Sequence, residues 1–366
     1  MNIFYDIDIF VIQKFGGISR YFIELANSIN DSSSANIKAK ISAGFHRNKY
    51  LSKADNKLKK SSIYVPDFKG AGLVLPLLNK LFFPTSSFSK IDIYHATYYN
   101  FPKNLPKNVL KFITVYDMIH ELYPSNFHKR DKTIELKAKA LREADHILAI
   151  SNNTKNDLIK IYDVDPKRIT VTHLGVDHFK KTTSFKTNKG NFLLYVGPRK
   201  GYKNFSNLVK SLKILRSDHF LDIKIIAFGG GPFSEKERNL ISSLGLDNDC
   251  VRQVSGSDKM LQNLYSTASV FVYPSLYEGF GIPPLEAMAN GCPVAASKTS
   301  SIGEILGESA ALFDPLVISD ITEKIKSILT SDDIGKEYVK KGFKLINKYQ
   351  WQKCANITTK AYERLI

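Results

Sequence analysis

Two carboxylates, Glu278 and Glu286, stand eight positions apart in the stretch 273 to 293, YPSLYEGFGIPPLEAMANGCP, with a Gly-Phe-Gly loop and a Pro-Pro pair between them. Such a pair can accept hydrogen bonds from the hydroxyls of one ligand at two separate points. The surrounding residues say what else that ligand carries. Residues 269 to 274 read as an apolar strand ending at Pro274, and Gly279 and Gly281 permit a sharp turn after it. Pro283 and Pro284 suit the first turn of a helix through Leu285, Glu286 and Met288 that stops near Gly291. A helix N-terminus opening from a glycine loop attracts anions, because its free N–H groups and its dipole both favour negative charge. A ligand with phosphates and hydroxyls fits both features, with Gly279, Phe280, Gly281 and Ile282 beside the phosphates and Glu278 and Glu286, the latter in the first helical turn, each on one set of hydroxyls. A plainer reading also stands on these residues alone: Glu286 complements the helix dipole and Glu278 is a solvated loop acid.

Other strand-to-helix junctions carry related groups. The all-apolar run 192 to 197, FLLYVG, reads as a buried parallel strand, and Arg199 and Lys203 follow it before the helical run NFSNLVKSLKILR. Cations in such a loop are either solvated or bind an anion, Arg199 with a forked donor array and Lys203 as a point charge. The run 223 to 232, IKIIAFGGGP, enters a triple-glycine loop that suits nucleotides in general but lacks the G-x-G-x-x-G pattern. Residues 1 to 10 read as a first buried strand. After it, Gly16 and Gly17 precede the helix YFIELANSI, where paired glycines either make a plain turn or let a ligand approach the backbone. The strands 91 to 96 and 109 to 115 end near His95 and near Asp117, His120 and Glu121. Such strand ends are where open α/β sheets bind ligands.

The elements that must position these groups alternate strand and helix through both halves of the chain. That pattern predicts an α/β protein of two doubly wound, Rossmann-like domains facing a cleft. The first domain is expected at residues 1 to 182, joined by a returning helix at 350 to 366 with Trp351 as its anchor. The second is expected at 187 to 349, with the hinge in the polar segment 178 to 190. A length of 366 residues suits two domains of ordinary size. The polar segment 32 to 60, with His46, Arg47, Lys49, Lys53, Lys57, Lys59 and Lys60, reads as a surface loop. The apolar run 68 to 84, FKGAGLVLPLLNKLFFP, is too short to span a bilayer and forms either a core helix or an interfacial one.

The motif E-GFGIPPLE, with seven residues between its acids, resembles the paired-glutamate motif of retaining GT-B glycosyltransferases, family 4 in particular, including bacterial surface-polysaccharide mannosyltransferases. The likeness implies that Glu278 faces the donor sugar and Glu286 binds the nucleotide ribose. FGGISRYFIEL resembles the family's N-terminal glycine loop, which would set Gly16 and Gly17 against the donor diphosphate. Arg199 and Lys203, in an Arg-x-x-x-Lys spacing, resemble its diphosphate clamp. Thr299, Ser300 and Ser301 resemble a donor-facing loop that lacks its usual proline here. Many relatives carry His-Asp where this chain has Tyr116-Asp117, which leaves His120 or Asp117 as the candidate contact to the donor sugar or the acceptor. The implied reaction moves a sugar from a nucleotide-diphosphate donor, GDP-mannose or a related one, to a glycan or lipid-linked acceptor in O-antigen or capsule synthesis, with retained configuration. Neither a cofactor nor a metal is expected.

Composition bounds the partners. The net charge is +17, and residues 1 to 186 carry 29 basic against 17 acidic side chains, while the remainder carries 23 against 18. Such a field favours a phosphorylated substrate, an anionic membrane or nucleic acid, although solvated lysines alone also produce it. A basic nucleotide- or nucleic-acid-binding protein without transferase activity is therefore the alternative, and it leaves the paired glutamates unexplained. A phosphorylase on the same fold requires a pyridoxal-bearing lysine and a much longer chain. The expected partners are a nucleotide sugar, a glycan or lipid-linked acceptor and an anionic membrane surface, with no nucleic acid. Cys250, Cys292 and Cys354 are scattered without pairing, which suits a reducing compartment. With no leader pattern and no apolar run of about 18 residues, the expected location is the cytoplasm, peripheral on the inner face of the membrane.

Overall fold

The computed structural model describes residues 1–32, 36–55, 58, 62–83, 91–176, 190–219 and 221–366. The chain forms two compact units: Met1–Glu121 with His128–Gly175 and Gln350–Ile366, and Leu122–Phe127 with Val176–Tyr349. The expected hinge falls almost wholly on residues 177–189, outside the described residues.

In the first unit β1 (Asn2–Tyr5), β2 (Lys38–Ile41), β5 (Ile93–Ala96), β6 (Leu110–Val115), β7 (His146–Ala149) and β8 (Ile169–Val171) form one sheet in the order β2-β1-β5-β6-β7-β8. Every pairing in it is parallel. Parallel neighbours require a crossover between strands, which is why each strand here is followed by a helix or a long connection. A separate pair, β3 (Gly44–His46) and β4 (Ser62–Tyr64), lies outside that sheet. All four residues of β5 and of β7 are buried, as expected for strands covered on both faces.

Two expectations for this unit are corrected. The strand at residues 1 to 10 stops at Tyr5, and a helix runs over Asp8–Ile12. Its Ile9, Phe10 and Val11 are buried in succession, so periodicity does not separate strand from helix; the Asp6 carboxylate ends the strand by accepting the Asp8 N–H at 2.9 Å. The segment 32 to 60 is not simply a loop, because it supplies β2, β3 and a helix over Lys49–Lys53 capped by Asn48. Within it His46 is buried, and Arg47 donates to the carbonyls of Val11 and Ile12 and pairs with Asp67. Lys57, Lys59 and Lys60 lie outside the described residues.

The terminal helix Trp351–Glu363 packs on the helix Gly17–Asp31 within this first unit. Its Tyr362 hydroxyl lies 2.6 Å from His95 Nδ1. Trp351 closes over Gly175, where even a Cβ would come within 2.4 Å of the Trp351 nitrogen.

The apolar run 68 to 84 forms a helix over Ala71–Phe82 of which only Ala71 and Leu75 are buried. Leu73, Leu77, Leu81 and Phe82 are 78%, 64%, 74% and 65% exposed. The helix is pinned to β3 through Asn79, whose side chain bonds both the N–H and the carbonyl of Phe45. No helix among the described residues is long and apolar enough to cross a membrane.

In the second unit β9 (Gly190–Val196), β10 (Lys224–Phe228), β11 (Val251–Val254), β12 (Ala268–Tyr273), β13 (Val294–Ser297) and β14 (Ala311–Phe313) form a parallel sheet in the order β11-β10-β9-β12-β13-β14. The chain builds outward from β9 to β10 and β11, then returns to place β12 on the other side of β9. That reversal is a topological switch point, and it opens a crevice between the carboxyl ends of β9 and β12. Leu193, Tyr195, Phe205, Ile225, Val272 and Phe313 are among the residues of the core beneath it. Leu122–Phe127, which chain order places with the first domain, packs in this unit: the Tyr123 ring lies 5.8 Å from that of Tyr202 and 6.4 Å from that of Tyr277.

Candidate active site

The loops after β9 and β12 meet at the switch point of the second unit, and their polar side chains meet with them. Lys203 Nζ lies 2.6 Å from Glu278 Oε1. Glu278 is only 8% exposed, so the contact joins a buried carboxylate to a cation from a different strand end. Burial first, and then the Glu278 charge, hold the Tyr273 phenol far above its ordinary pKa. The loop that carries Glu278 is fastened from three directions. Leu276 N–H donates to the Tyr202 carbonyl at 2.7 Å, and Thr299 Oγ1 donates to the Leu276 carbonyl at 2.7 Å. Around Glu278 itself, Ser300 Oγ accepts its N–H at 2.9 Å and Ser301 Oγ donates to its carbonyl at 2.7 Å. Ser300 holds a φ of +52°, a left-handed conformation that is strained for a side-chain-bearing residue.

Gly279, Phe280 and Gly281 lead from Glu278 into the helix Ile282–Ala289, with Gly281 at φ +101° making the reversal that places the N-terminus at Ile282. Glu286 departs from expectation. It lies past the first turn of this helix, which contains no acid, so it does not complement the dipole from there. It is half-buried, and its Oε2 accepts the Tyr265 hydroxyl at 3.2 Å. The two glutamates thus stand on different elements with different supports, one on a cation and two serines, the other on a tyrosine.

Arg199 is placed beside the triple-glycine loop. Its Nε donates to Glu237 Oε1 at 2.7 Å, Nη1 to the Gly229 carbonyl at 2.9 Å, and Nη2 to the carbonyls of Gly231 and Pro232 at 2.8 and 3.1 Å. Its spacing from Lys203 suggests a matched pair of cations, but the two side chains have different partners.

The remaining candidates lie in the first unit. Asp117 accepts the Ile119 N–H at 3.0 Å and so begins the short helix Ile119–Leu122 that carries His120. Burial lowers the His120 pKa against the opposing pull of Asp117, and its Nε2 stands 3.8 Å from Asp131. This turn is held from below by Lys137, a fully buried ammonium that donates to the Asp117 carbonyl and pairs with Glu121 at 2.9 Å. Gly16 and Gly17 stand at the start of the helix Gly17–Asp31. A Cβ on Gly16 would strike the Gln13 side chain, whereas Gly17 meets nothing within 4 Å. His95 is a core group, bonded to Tyr362 and to Thr114 at 2.9 Å, with burial pushing its pKa down to about 3.

Ser300 and Ser301, marked in the sequence as part of a loop of their own, hold the backbone of Glu278. Sequence reasoning overlooks other groups. Tyr265 and Glu237 support the charged residues yet carry no local signal of that task. Asp6 and Asp8 do carry one, their Asp-x-Asp spacing. They lie at the end of β1, where the first sheet also reverses between β1 and β5, and Asp6 bonds Thr97 after β5. Burial, then the neighbouring Asp8, pushes the Asp6 carboxyl up to about 8. Among the described residues no three His, Cys, Asp or Glu side chains are grouped so as to hold a metal ion.

Two parallel α/β units, one with a cation and a carboxylate paired at its switch point, make the architecture expected from the sequence, and comparison with known proteins supplies the class. Residues 15–179 match Glycosyltransferase Family 4 and residues 176–345 match Glycosyl transferases group 1; the chain belongs to this family of glycosyltransferases. Among its relatives, the O-antigen chain mannosyltransferase B of Escherichia coli is 26% identical over 75% of this chain and 74% of its own length. The O-antigen chain mannosyltransferase RfbU of Salmonella typhimurium is 32% identical over 56% of each chain. The MMP alpha-(1->4)-mannosyltransferase of Mycolicibacterium hassiacum is 31% identical over 64% of this chain and 57% of its own length. The matches to the latter two thus span little more than half of those relatives. Among solved structures, sucrose-phosphate synthase from Thermosynechococcus elongatus aligns with a TM-score of 0.74 at 18% identity, over 100% of this chain and 98% of the other. HepE from Anabaena, in complex with UDP and glucose, aligns with a TM-score of 0.71 at 15% identity, over 100% and 99%. The fold is of the GT-B class.

Proposed function

We propose that this glycosyltransferase moves a hexosyl unit, with mannose the favoured candidate, from a nucleotide-diphosphate sugar to a hydroxyl of a glycan or lipid-linked acceptor, retaining the anomeric configuration. The observation that carries the reading is the Lys203–Glu278 contact at the switch point. A ligand that draws Lys203 to a diphosphate and Glu278 to sugar hydroxyls has both charges at one place. The Ile282 helix start and the Gly279–Gly281 backbone add N–H donors for the phosphates, and Glu286 takes the ribose hydroxyls. Gly16 and Gly17 are assigned to the diphosphate, and His120 or Asp117 to the donor sugar or the acceptor. In the proposed step the bond between the anomeric carbon and the β-phosphate oxygen breaks, and the acceptor oxygen bonds the same face of that carbon. The acceptor proton passes to the departing phosphate. Charge builds on the diphosphate as the bond breaks, and donors already in position stabilise it most effectively. The assignment calls for no metal. Relatives named as O-antigen chain mannosyltransferases support mannose and a role in O-antigen assembly, and the complex of HepE with UDP and glucose supports a nucleotide sugar; GDP-mannose as the donor and a cytoplasmic location are part of the proposal.

Melting curves test this. GDP or UDP is expected to raise the melting temperature, since a ligand that binds only the folded chain stabilises it by mass action. An oligonucleotide is expected to have no specific effect. The reverse pattern would favour the nucleic-acid reading suggested by the charge. A panel of nucleotide sugars, with the product's anomeric configuration read by NMR, then identifies the donor and checks retention.

The reading includes peripheral contact with an anionic membrane. Its support is the helix Ala71–Phe82, which turns Leu73, Leu77, Leu81 and Phe82 outward, with exposed Lys69 just before it and exposed Lys80 in its last turn. An apolar helix face edged by lysines suits the boundary between lipid headgroups and acyl chains. The protein is expected to sediment with phosphatidylglycerol-containing vesicles at low salt and to be released as salt rises, because surface charge is screened within about 10 Å at 0.1 M. Replacing Leu73, Leu77 and Leu81 by serine should abolish sedimentation. Failure of the unaltered protein to bind at low salt removes the membrane from the proposal.

A further inference from the structure

We infer that Arg199 and Glu237 form a strap that sets the shape of the Gly229–Gly231 loop, so that Arg199 serves the donor diphosphate through this backbone and not by touching it. The inference rests on the donor reading above and assigns to Arg199 a positioning role. Its guanidinium already has four protein acceptors: the Glu237 carboxylate and the carbonyls of Gly229, Gly231 and Pro232. The side chain is 2% exposed and lies over the Phe233 ring at 4.7 Å. These acceptors take four of its five N–H donors, each by a charge-assisted bond, in a side chain too buried to present the fifth readily to a phosphate. Glu237 is itself fixed, because its Oε2 accepts both the N–H and the hydroxyl of Ser234 at 2.7 Å and so closes the cap of the helix Glu235–Ser243.

The strap has a clear consequence for the loop. Gly229, Gly230 and Gly231 hold φ of +80°, +71° and +74°, a run of left-handed residues open only to glycine at ordinary cost. A Cβ on Gly230 would stand 2.6 Å from Arg199 Nη1 and 2.8 Å from the Gly197 carbonyl. The carbonyls of Gly229 and Gly231 are turned onto the guanidinium. The N–H groups of Gly230 and Gly231 find no acceptor among the described residues, and both glycines are exposed. Successive free amides in a turn make an anion-binding concavity. This one stands at the carboxyl end of β10, beside β9, whose own loop brings Lys203.

The test uses four full-length proteins: unaltered, Glu237→Gln, Arg199→Lys and Arg199→Met. Each is titrated calorimetrically with GDP and with UDP, melted, and followed by amide exchange at residues 229 to 233 without ligand. Glu237→Gln leaves the Arg199 charge in place, yet is expected to weaken binding of the preferred diphosphate about tenfold, the scale of losing one charge-assisted hydrogen bond. Arg199→Lys should fall as far as Arg199→Met, since an ammonium cannot hold three diverging carbonyls as a fork does. Exchange at 229 to 233 should quicken in all three variants. If the diphosphate grips Arg199 directly, freeing it from Glu237 leaves affinity unchanged or raises it, and lysine preserves much of the binding; either result overturns the strap. So does a variant that melts lower but binds like the unaltered protein. Should the unaltered protein bind neither GDP nor UDP, the donor reading fails, and the exchange at 229 to 233 still decides whether Arg199 and Glu237 hold the loop.

Discussion

Lys203→Ala is expected to lower turnover with the accepted nucleotide sugar by at least about a hundredfold, the scale of removing one preorganised stabiliser of transition-state charge. The ammonium stands at the switch point, 2.6 Å from Glu278. Asn204 holds its loop in place by donating to the carbonyls of Pro274 and Pro315 at 3.1 and 2.7 Å. As the bond to the diphosphate breaks, the group best able to answer the growing charge is a cation already in position. A purely structural role for Lys203 predicts something else. Deleting it leaves the buried Glu278 carboxylate without this cation, which lowers the melting temperature whether or not chemistry is affected. The pair Lys203→Met and Lys203→Met/Glu278→Gln separates the two, because the double variant relieves the uncompensated charge. Recovered stability with turnover still lost supports the assigned role. Turnover near that of the unaltered enzyme in Lys203→Ala would sink it.

The second large effect divides the glutamates. Glu286→Ala is expected to weaken free nucleoside diphosphate and nucleotide sugar alike, since both carry the ribose. Glu278→Ala is expected to leave diphosphate affinity nearly unchanged and to reduce turnover, an interaction lost on the sugar being felt mainly in the transition state. Their surroundings suit the separation. Glu286 leans on the Tyr265 hydroxyl from within its helix, while Glu278 is fixed by Ser300, Ser301 and Lys203. One complication has a defined sign. Removing Glu278 frees Lys203 from its ion pair, so diphosphate affinity in Glu278→Ala should hold or rise slightly. Calorimetric titration of both variants with GDP and UDP, beside melting curves, decides the matter. Equal loss of diphosphate binding in both would show the two roles to be wrongly divided even though the enzyme class stands.

Much of the fold was legible from local pattern. All-apolar runs such as FLLYVG became buried parallel strands. The glycine loop and Pro-Pro pair before residue 285 led correctly to a helix, here beginning at Ile282. These features depend on neighbours within a few residues, so the sequence holds the information locally. The errors arose where it does not. Residues 1 to 10 are apolar in a way that fits strand or buried helix equally. β2, in the segment read as a loop, pairs with β1 from more than thirty residues away.

The sequence alone led to the class of protein through the resemblance of its paired-glutamate motif to a known family, and that resemblance is legible because the motif and its glycines occupy one continuous stretch. It also singled out Lys203, Glu278 and Glu286. Only the tertiary structure decided what those residues touch. Lys203 and Glu278 are 75 positions apart and meet because the order β10-β9-β12 sets their two strand ends side by side. The likeness to a diphosphate clamp cast Arg199 as the partner of Lys203, yet its guanidinium turns to Glu237, 38 positions away, and to the carbonyls of a glycine loop. A side chain's type limits the chemistry it can perform, but its partners are set by which strand ends the sheet order makes neighbours, and that order is a property of the whole chain.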